Sequence, residues 1–99
     1  MNYNLNYEGF EQNLKERLER TGGIQYLFKF DNGYGASVVK TNFSYGHNDD
    51  LWELAVIEFT NRDGREVFYL TYDTEITDDV LGWKTDEDIR DILRRIKEL

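Results

Sequence analysis

Residues 51–64 read LWELAVIEFTNRDG. The first ten are rich in β-branched and aromatic side chains, and the last four are turn-forming residues, so the segment predicts a strand that enters a hairpin. Its partner strand is expected at residues 65–72. Upstream, apolar and polar side chains alternate along residues 24–30, and a second extended segment follows at residues 36–43. These two segments predict further strands, separated by the turn sequence DNG at 31–33.

Both ends of the chain carry helical spacing. Near the N-terminus, apolar side chains recur at intervals of three and four at Tyr7, Phe10, Leu14 and Leu18, which predicts a helix over residues 7–20. Gly22 and Gly23 would end it. Near the C-terminus, Thr85 and Asp88 resemble a capping box, and an apolar stripe follows. The stripe consists of Ile89, Ile92, Leu93, Ile96 and Leu99.

The predicted order is therefore helix, four strands, helix. The connections between the strands are too short for parallel crossovers, so the sheet should be antiparallel. No repeat, proline or low-complexity linker divides the 99 residues. The sequence predicts one α+β domain over residues 1–99. Its expected architecture has two layers, a four-stranded antiparallel meander flanked by an N-terminal and a C-terminal helix on one face.

Residues 51–59 are apolar at nearly every position and would present apolar side chains to both faces of the sheet. Two helices cover only one face, and the exposed face of an antiparallel sheet is normally polar. Either a loop of the chain covers the second face or another chain does. The second alternative predicts a homodimer or an interaction surface with Trp52 or Leu54 near its centre.

Composition excludes several classes of function. The net charge of −8 argues against direct binding of nucleic acid, which depends on Lys and Arg contacts to phosphate. The longest apolar run, residues 54–57, is far too short to span a bilayer, so no membrane partner is expected. Residues 1–5 do not resemble a signal peptide. The chain has no cysteine, which favours a reducing compartment, and we expect a cytoplasmic location.

The negative charge is concentrated between residues 72 and 91. This segment contains eight carboxylates and only two cationic side chains, so its net charge is −6. Three of the acids suit the start of the C-terminal helix, and Asp91 can pair with an arginine one turn later. Four acids have no such role in folding: Asp73, Glu75, Asp78 and Asp79. They form either a surface that meets a basic partner or a solvated face.

The sequence contains no recognisable catalytic or cofactor-binding motif. The acidic segment that begins at Asp73 fails the EF-hand pattern at two decisive positions, so no tightly bound metal is expected. Gly33 and Gly35 lie before a strand rather than a helix, which argues against a phosphate-binding loop. His47 is the only histidine and lies among polar residues. We therefore expect no cofactor and no enzymatic activity.

Several segments resemble the recurring segments of a group of small tailed-phage proteins of unknown function. The resemblance runs from about residue 26 to residue 96 and includes NGYGASVV at 32–39, LWELAV at 51–56 and YDTEITDDV at 72–80. It implies a phage or prophage source and expression in a bacterial host cytoplasm. No catalytic or binding role comes with it.

We expect a phage accessory protein that binds a protein partner with a basic surface, as an inhibitor of a host protein or as a nucleic-acid mimic directed at one. One alternative is a self-assembling structural protein, a homodimer through the outer sheet face. Another is a small enzyme or metal-binding protein that uses His47 and nearby acids. The expected partner-binding residues are Asp73, Glu75, Asp78, Asp79, Trp52, Leu54 and Trp83.

Overall fold

The structure, a computed structural model, describes all 99 residues and contains six antiparallel strands and one α-helix. Single 3₁₀ turns at Glu11–Asn13 and His47–Asp49 complete the secondary structure. The strands are β1 (Leu14–Arg20), β2 (Gly23–Lys29), β3 (Tyr34–Lys40), β4 (Trp52–Arg62), β5 (Arg65–Leu70) and β6 (Leu81–Lys84), and the helix is α1 (Asp86–Lys97).

The sheet follows the path β1-β2-β3-β4-β5, and β6 pairs with β4 beside that path. Strand β4 is the longest and pairs with two strands, β6 and β5, along one of its edges. Its first half pairs with β6, where Leu54 faces Leu81, and its second half pairs with β5, where Ile57 faces Leu70. The connection over residues 71–80 therefore leaves the sheet after β5 and returns to the same edge of β4.

The prediction of a four-stranded meander flanked by two helices is wrong, because the N-terminal helix does not exist. Leu14–Arg20 is a strand that pairs with β2 through the turn at Thr21 and Gly22. Gly22 adopts φ +79°, and a Cβ on Gly23 would lie 1.9 Å from the Lys40 carbonyl oxygen. These two glycines therefore reverse the chain into a hairpin. The short β6 was also missed.

The C-terminal helix and the hairpin after β4 are confirmed. The Thr85 side chain accepts a hydrogen bond from the Asp88 N–H at 3.1 Å, and the Asp88 carboxylate accepts one from the Thr85 N–H at 3.0 Å. The hydrogen bond from the Thr85 backbone lowers the pKa of Asp88. In the hairpin, Asp63 and Gly64 both have positive φ, as a tight turn between twisted strands requires.

One face of the sheet is covered by α1 and by the N-terminal segment, residues 1–13, which contributes the buried Leu5 and Phe10. Trp52 and Leu54 lie in this core at 1% and 0% exposure. The expectation that they centre an exposed face is wrong, because the chain itself buries them. Phe30 directly after β2 belongs to this core, together with the sheet residues Ile24, Tyr26, Phe28, Ala36, Val38, Trp52, Leu54 and Val56.

The centre of the opposite face is also buried, although no helix lies on it. Leu27 and Ile57 there are 3% and 0% exposed. The Lys15 ammonium of β1 lies 2.6 Å from the Glu66 carboxylate of β5. On a flat sheet four strand spacings would separate β1 and β5 by ~19 Å, so the sheet must curl strongly for this ion pair to form. The curl encloses the centre of the second face, whereas Phe68 and Leu70 of β5, which pair with Phe59 and Ile57, remain 41% and 48% exposed.

Candidate functional site

A β-bulge in β6 changes the direction of an exposed tryptophan. Leu81 pairs with Leu54 and Lys84 with Trp52, so Gly82 and Trp83 both lie opposite Glu53. Trp83 has φ +55°, a left-handed conformation that costs a non-glycine residue of order 1–3 kcal/mol. Its side chain is 57% exposed. Such strain persists only where neighbouring contacts hold it, and it occurs preferentially at functional positions.

The neighbouring contact is a stack with Tyr45. The ring centres of Tyr45 and Trp83 lie 5.6 Å apart with an interplanar angle of 22°. The backbone N–H of Trp83 also donates to the backbone carbonyl oxygen of Tyr45 at 3.4 Å. Two glycines permit this approach. A Cβ on Gly82 would lie 2.5 Å from the Tyr45 Cβ, and one on Gly46 would lie 2.9 Å from the Trp83 backbone.

The loop over residues 41–51 presents Tyr45 and a second aromatic ring, Phe43, which is 85% exposed. The loop is tied internally. The buried Ser44 hydroxyl accepts from the Thr41 N–H at 3.0 Å and donates to the Thr41 carbonyl oxygen at 3.1 Å. His47 Nδ1 lies 2.6 Å from the Ser44 carbonyl oxygen, so this nitrogen carries the proton. We refer to Phe43, Tyr45 and Trp83 as the aromatic platform.

The aromatic platform borders an open groove of about 350 Å³. The groove is lined by residues 42–49 and Trp83, and Asp49 contributes a carboxylate to its wall. This volume falls at the small end of the range for ligand-binding clefts. An exposed aromatic surface beside a carboxylate is suited to a cationic group, which an aromatic face and an acid both attract.

Two further acids lie near the aromatic platform. Burial raises the pKa of Glu53, the residue opposite the bulge, and the Asp79 carboxylate adds to the increase through charge repulsion. A hydrogen bond from the Tyr45 backbone opposes the increase. Glu53 is therefore a partly desolvated acid between two strands, with a second negative charge close by. The pair reinforces the negative field around the aromatic platform.

The expected partner-binding acids do not form one cluster. Asp73, Glu75, Asp78 and Asp79 are all exposed on the connection between β5 and β6. Asp79 lies near Glu53, whereas Asp73 lies near the hydroxyl of Tyr69, whose pKa it helps to raise after the larger effect of the Glu58 hydrogen bond. Trp83 lies on the aromatic platform, and Trp52 and Leu54 lie in the core.

Sequence reasoning missed Phe43, Tyr45 and Glu53 as members of this site. One signal was present, since Phe43 and Tyr45 are large aromatic residues in an otherwise polar segment. The stacking with Trp83 was not visible, because 38 residues separate the two rings and only the pairing of β6 with β4 brings them together.

A larger cavity, about 440 Å³, lies at the other end of the sheet and includes Lys29, Phe59 and Glu66 in its lining. Its charged groups already satisfy one another. Glu66 binds both Lys15 and Lys29, and the hydrogen bonds from these lysines lower the pKa of Glu66. Both ammonium groups also lie within 6 Å of the centre of the Phe59 ring. This cluster joins β1 and β2 to β5 across the curl of the sheet and is a weaker candidate for a ligand site.

No three His, Cys, Asp or Glu side chains in the structure are grouped so that they could hold a metal ion. The protein also has no helix with the length and apolar character needed to cross a membrane. Comparisons with protein-family models, curated proteins and solved structures give no match for this chain.

Proposed function

We propose that the protein acts by binding a protein partner with a basic surface, and that the aromatic platform is the centre of the contact. The observation that carries the proposal is the exposed stack of Tyr45 on Trp83, held on a strained bulge beside Glu53 and Asp79. Tryptophan, tyrosine and arginine dominate the energetics of protein interfaces, and an exposed Trp–Tyr stack offers such an anchor.

The chemistry favours an arginine or lysine of the partner at this position. Its cationic group would lie over the aromatic face of Trp83 or Tyr45 while Asp79 and Asp49 neutralise its charge. The net charge of −8 would raise the association rate of such a partner, and the effect should weaken with added salt. The acids at Asp73, Glu75 and Asp78 would contribute at the rim of the contact.

The resemblance to tailed-phage proteins supports the proposal that the protein acts inside a bacterial host cell. In a bacterial host cytoplasm, a small acidic binding protein would act as an accessory protein that inhibits a basic host protein. A homodimer centred on Trp52 and Leu54 does not fit the structure, because both residues lie in the core.

The direct test uses a short arginine-rich peptide as probe and follows amide and indole resonances by NMR. We expect the resonances of Phe43, Tyr45 and Trp83 to shift on titration, and the shifts to decrease as salt is added. Shifts confined to residues outside the aromatic platform and its neighbouring acids would contradict the proposal.

The natural partner is then captured from bacterial lysate with the wild-type protein and tested against two variants. Trp83→Ala should weaken its binding by about 2 kcal/mol or more, which is about thirtyfold in Kd. Tyr72→Ala, which also removes an exposed aromatic ring but lies outside the aromatic platform and outside β5, is the matched control and should bind as the wild type does. Loss of binding in Tyr72→Ala alone would place the contact elsewhere and overturn the proposal.

A further inference from the structure

The two outer edges of the sheet differ in how well they are protected. The edge strand β1 has an irregularity between Leu14 and Glu16, and most of its exposed side chains are charged. The edge strand β5 has an unbroken register with β4 from Arg65 to Leu70. Its side chains Phe68, Tyr69 and Leu70 are 41%, 49% and 48% exposed. Charges and bulges normally prevent an edge from pairing with another chain, and the second half of β5 has neither.

The outward-pointing backbone groups of β5 follow from its pairing with β4. The Thr71 N–H donates to the Val56 carbonyl oxygen at 3.0 Å, so Thr71 points its backbone groups toward β4. Because these directions alternate along an antiparallel strand, Tyr69 and Val67 also point toward β4. The N–H and C=O groups of Glu66, Phe68 and Leu70 then point to the open edge. No backbone hydrogen bond outside the β4 ladder involves residues 65–70.

We propose that a second copy of this chain adds to β5, antiparallel and around a two-fold axis at Phe68. In this register Phe68 lies opposite Phe68 of the second copy, and Glu66 lies opposite Leu70. In each copy the N–H groups of Glu66, Phe68 and Leu70 then donate to carbonyl oxygens of the same three residues in the other copy. The two copies thus form six hydrogen bonds, which satisfy the outward-pointing backbone groups of these residues. An axis moved to Val67 would place Leu70 opposite Gly64, which lies in the hairpin turn, and would lose part of this pairing.

The charge distribution favours a second copy over a basic partner at this edge. Residues 60–70 contain Arg62 and Arg65 against Asp63 and Glu66, so their charges sum to zero in a molecule of net charge −8. Two acidic molecules repel each other least where the local charge is neutral, and a basic molecule is not attracted there. The proposed register also brings Phe68 of both copies together on one face and Val67 against Tyr69 on the other, both favourable cross-strand pairs.

The first test is the mass in solution across a concentration series, measured by sedimentation and light scattering. A dimer has twice 11.8 kDa, or 23.6 kDa. Phe68→Lys places two like charges at the two-fold axis and should give a monomer at every concentration. Phe43→Lys makes the same substitution at a more exposed phenylalanine away from the edge and should remain dimeric. A wild-type mass of 11.8 kDa up to about 1 mM, or a dimer that survives Phe68→Lys, would overturn the proposal.

Because Phe68 also contacts Phe59, with ring centres 5.8 Å apart, the substitution could impair folding. Hydrogen exchange on the wild-type protein needs no variant. If the edge is paired, the amides of Glu66, Phe68 and Leu70 should exchange slowly at high protein concentration and faster on dilution. Rapid exchange of all three at high concentration, while the amides of Val67 and Tyr69 stay protected by β4, would contradict the pairing.

Discussion

The indole N–H of Trp52 donates a hydrogen bond of 2.6 Å to Oδ1 of Asp86, the first residue of α1. The other oxygen of the same carboxylate accepts from the Asn6 N–H at 3.2 Å. A single acid therefore joins β4, the helix and the N-terminal segment. Asp86 belongs to the acidic stretch that the sequence singled out, yet its role is to connect three parts of the fold.

Trp52→Phe should destabilise the protein by about 2 kcal/mol, because it removes this hydrogen bond and leaves unfilled volume in the core. The measurement is urea unfolding followed by circular dichroism. Trp83→Phe is the matched control, since Trp83 is exposed, and it should cost much less. Equal losses in the two variants would show that the link between Trp52 and Asp86 contributes little.

The turn between β2 and β3 caps the end of α1. Asn32 Nδ2 donates to the carbonyl oxygens of Ile96 at 2.9 Å and Leu99 at 3.1 Å, and Asn32 Oδ1 accepts from the Tyr34 N–H at 3.0 Å. Asn32→Ala should lower the free energy of unfolding by about 1–2 kcal/mol.

Asn32→Asp should be at least as damaging, because a carboxylate cannot donate and carries negative charge at the negative end of the helix dipole. Thermal and urea unfolding check both variants, with the neighbouring Asp31→Ala as control. An Asn32→Asp protein as stable as the wild type would contradict the capping role.

The parts of the fold predicted correctly from sequence are those set by local chemistry. The capping box at Thr85 and Asp88 and the turn at Asp63 and Gly64 each depend on residues within four positions of one another. In contrast, the segment over 14–20 has helical spacing and helix-forming residues, but it pairs with β2. Tertiary pairing overrides local propensity, and no sequence pattern within the segment reveals it.

The candidate site was predicted only in part for a similar reason. Trp83 and the acid Asp79 are close in sequence, and both were expected at the contact. Tyr45 and Glu53 join them only because β6 returns to the edge of β4 and bulges there. The two-sided apolar character of β4 was recognised, but the curl that buries the centre of its second side, and that brings Lys15 to Glu66, involves strands at opposite edges of the sheet.

A buried ammonium group ties the start of the chain to the loop before β4. Lys40 Nζ, on a side chain 2% exposed, donates to Asp50 Oδ1 at 2.8 Å and to the Asn2 carbonyl oxygen at 2.7 Å. It lies 4.2 Å from the centre of the Trp52 ring. The hydrogen bond from Lys40, followed by one from the Asn2 backbone, lowers the pKa of Asp50.

Asp50→Asn should therefore lower Tm clearly, because it leaves a buried charge without its counterion. The double variant Lys40→Met with Asp50→Asn should recover part of the loss, since the unpaired charge is gone. Thermal unfolding of both single variants and the double variant completes the cycle. Strictly additive losses would show that the pair is not coupled.

The raised pKa of Glu53 predicts a pH-dependent cost. The fold disfavours the ionised form of Glu53. The stability that protonated Glu53 contributes is therefore fully present below the ordinary pKa of 4.5, and it is lost as pH rises through the higher pKa of the folded state. Glu53→Gln should stabilise the protein at pH 7 by less than about 1 kcal/mol, because the group is still partly solvated. The gain should disappear near about pH 3.5, where both states are protonated. Urea unfolding at both pH values tests this, and the exposed Glu16→Gln is the control. A gain that persists at low pH would not arise from ionisation.

The four acids on the connection between β5 and β6 should separate into two groups. Asp79 Oδ1 accepts from the Val80 N–H at 2.7 Å, so Asp79→Ala should cost about 1 kcal/mol by releasing the turn before β6. The carboxylates of Asp73, Glu75 and Asp78 make no hydrogen bond or ion pair, and neutralising them should leave Tm unchanged or raise it by reducing self-repulsion.

Binding of the basic partner should show the complementary pattern. Exposed charge pairs contribute ~0.2–1 kcal/mol each, so the single variants Asp73→Asn, Glu75→Gln and Asp78→Asn should each weaken the complex slightly. Combined, their effects should add, because no shared hydrogen bond couples them. Asp79→Asn should weaken it further and also lower the pKa of Glu53, since a nearby negative charge is removed. Calorimetry with the captured partner and an NMR titration of the Glu53 carboxyl group measure these effects. A triple variant that binds as tightly as the wild type would mean that these three acids are only a solvated face.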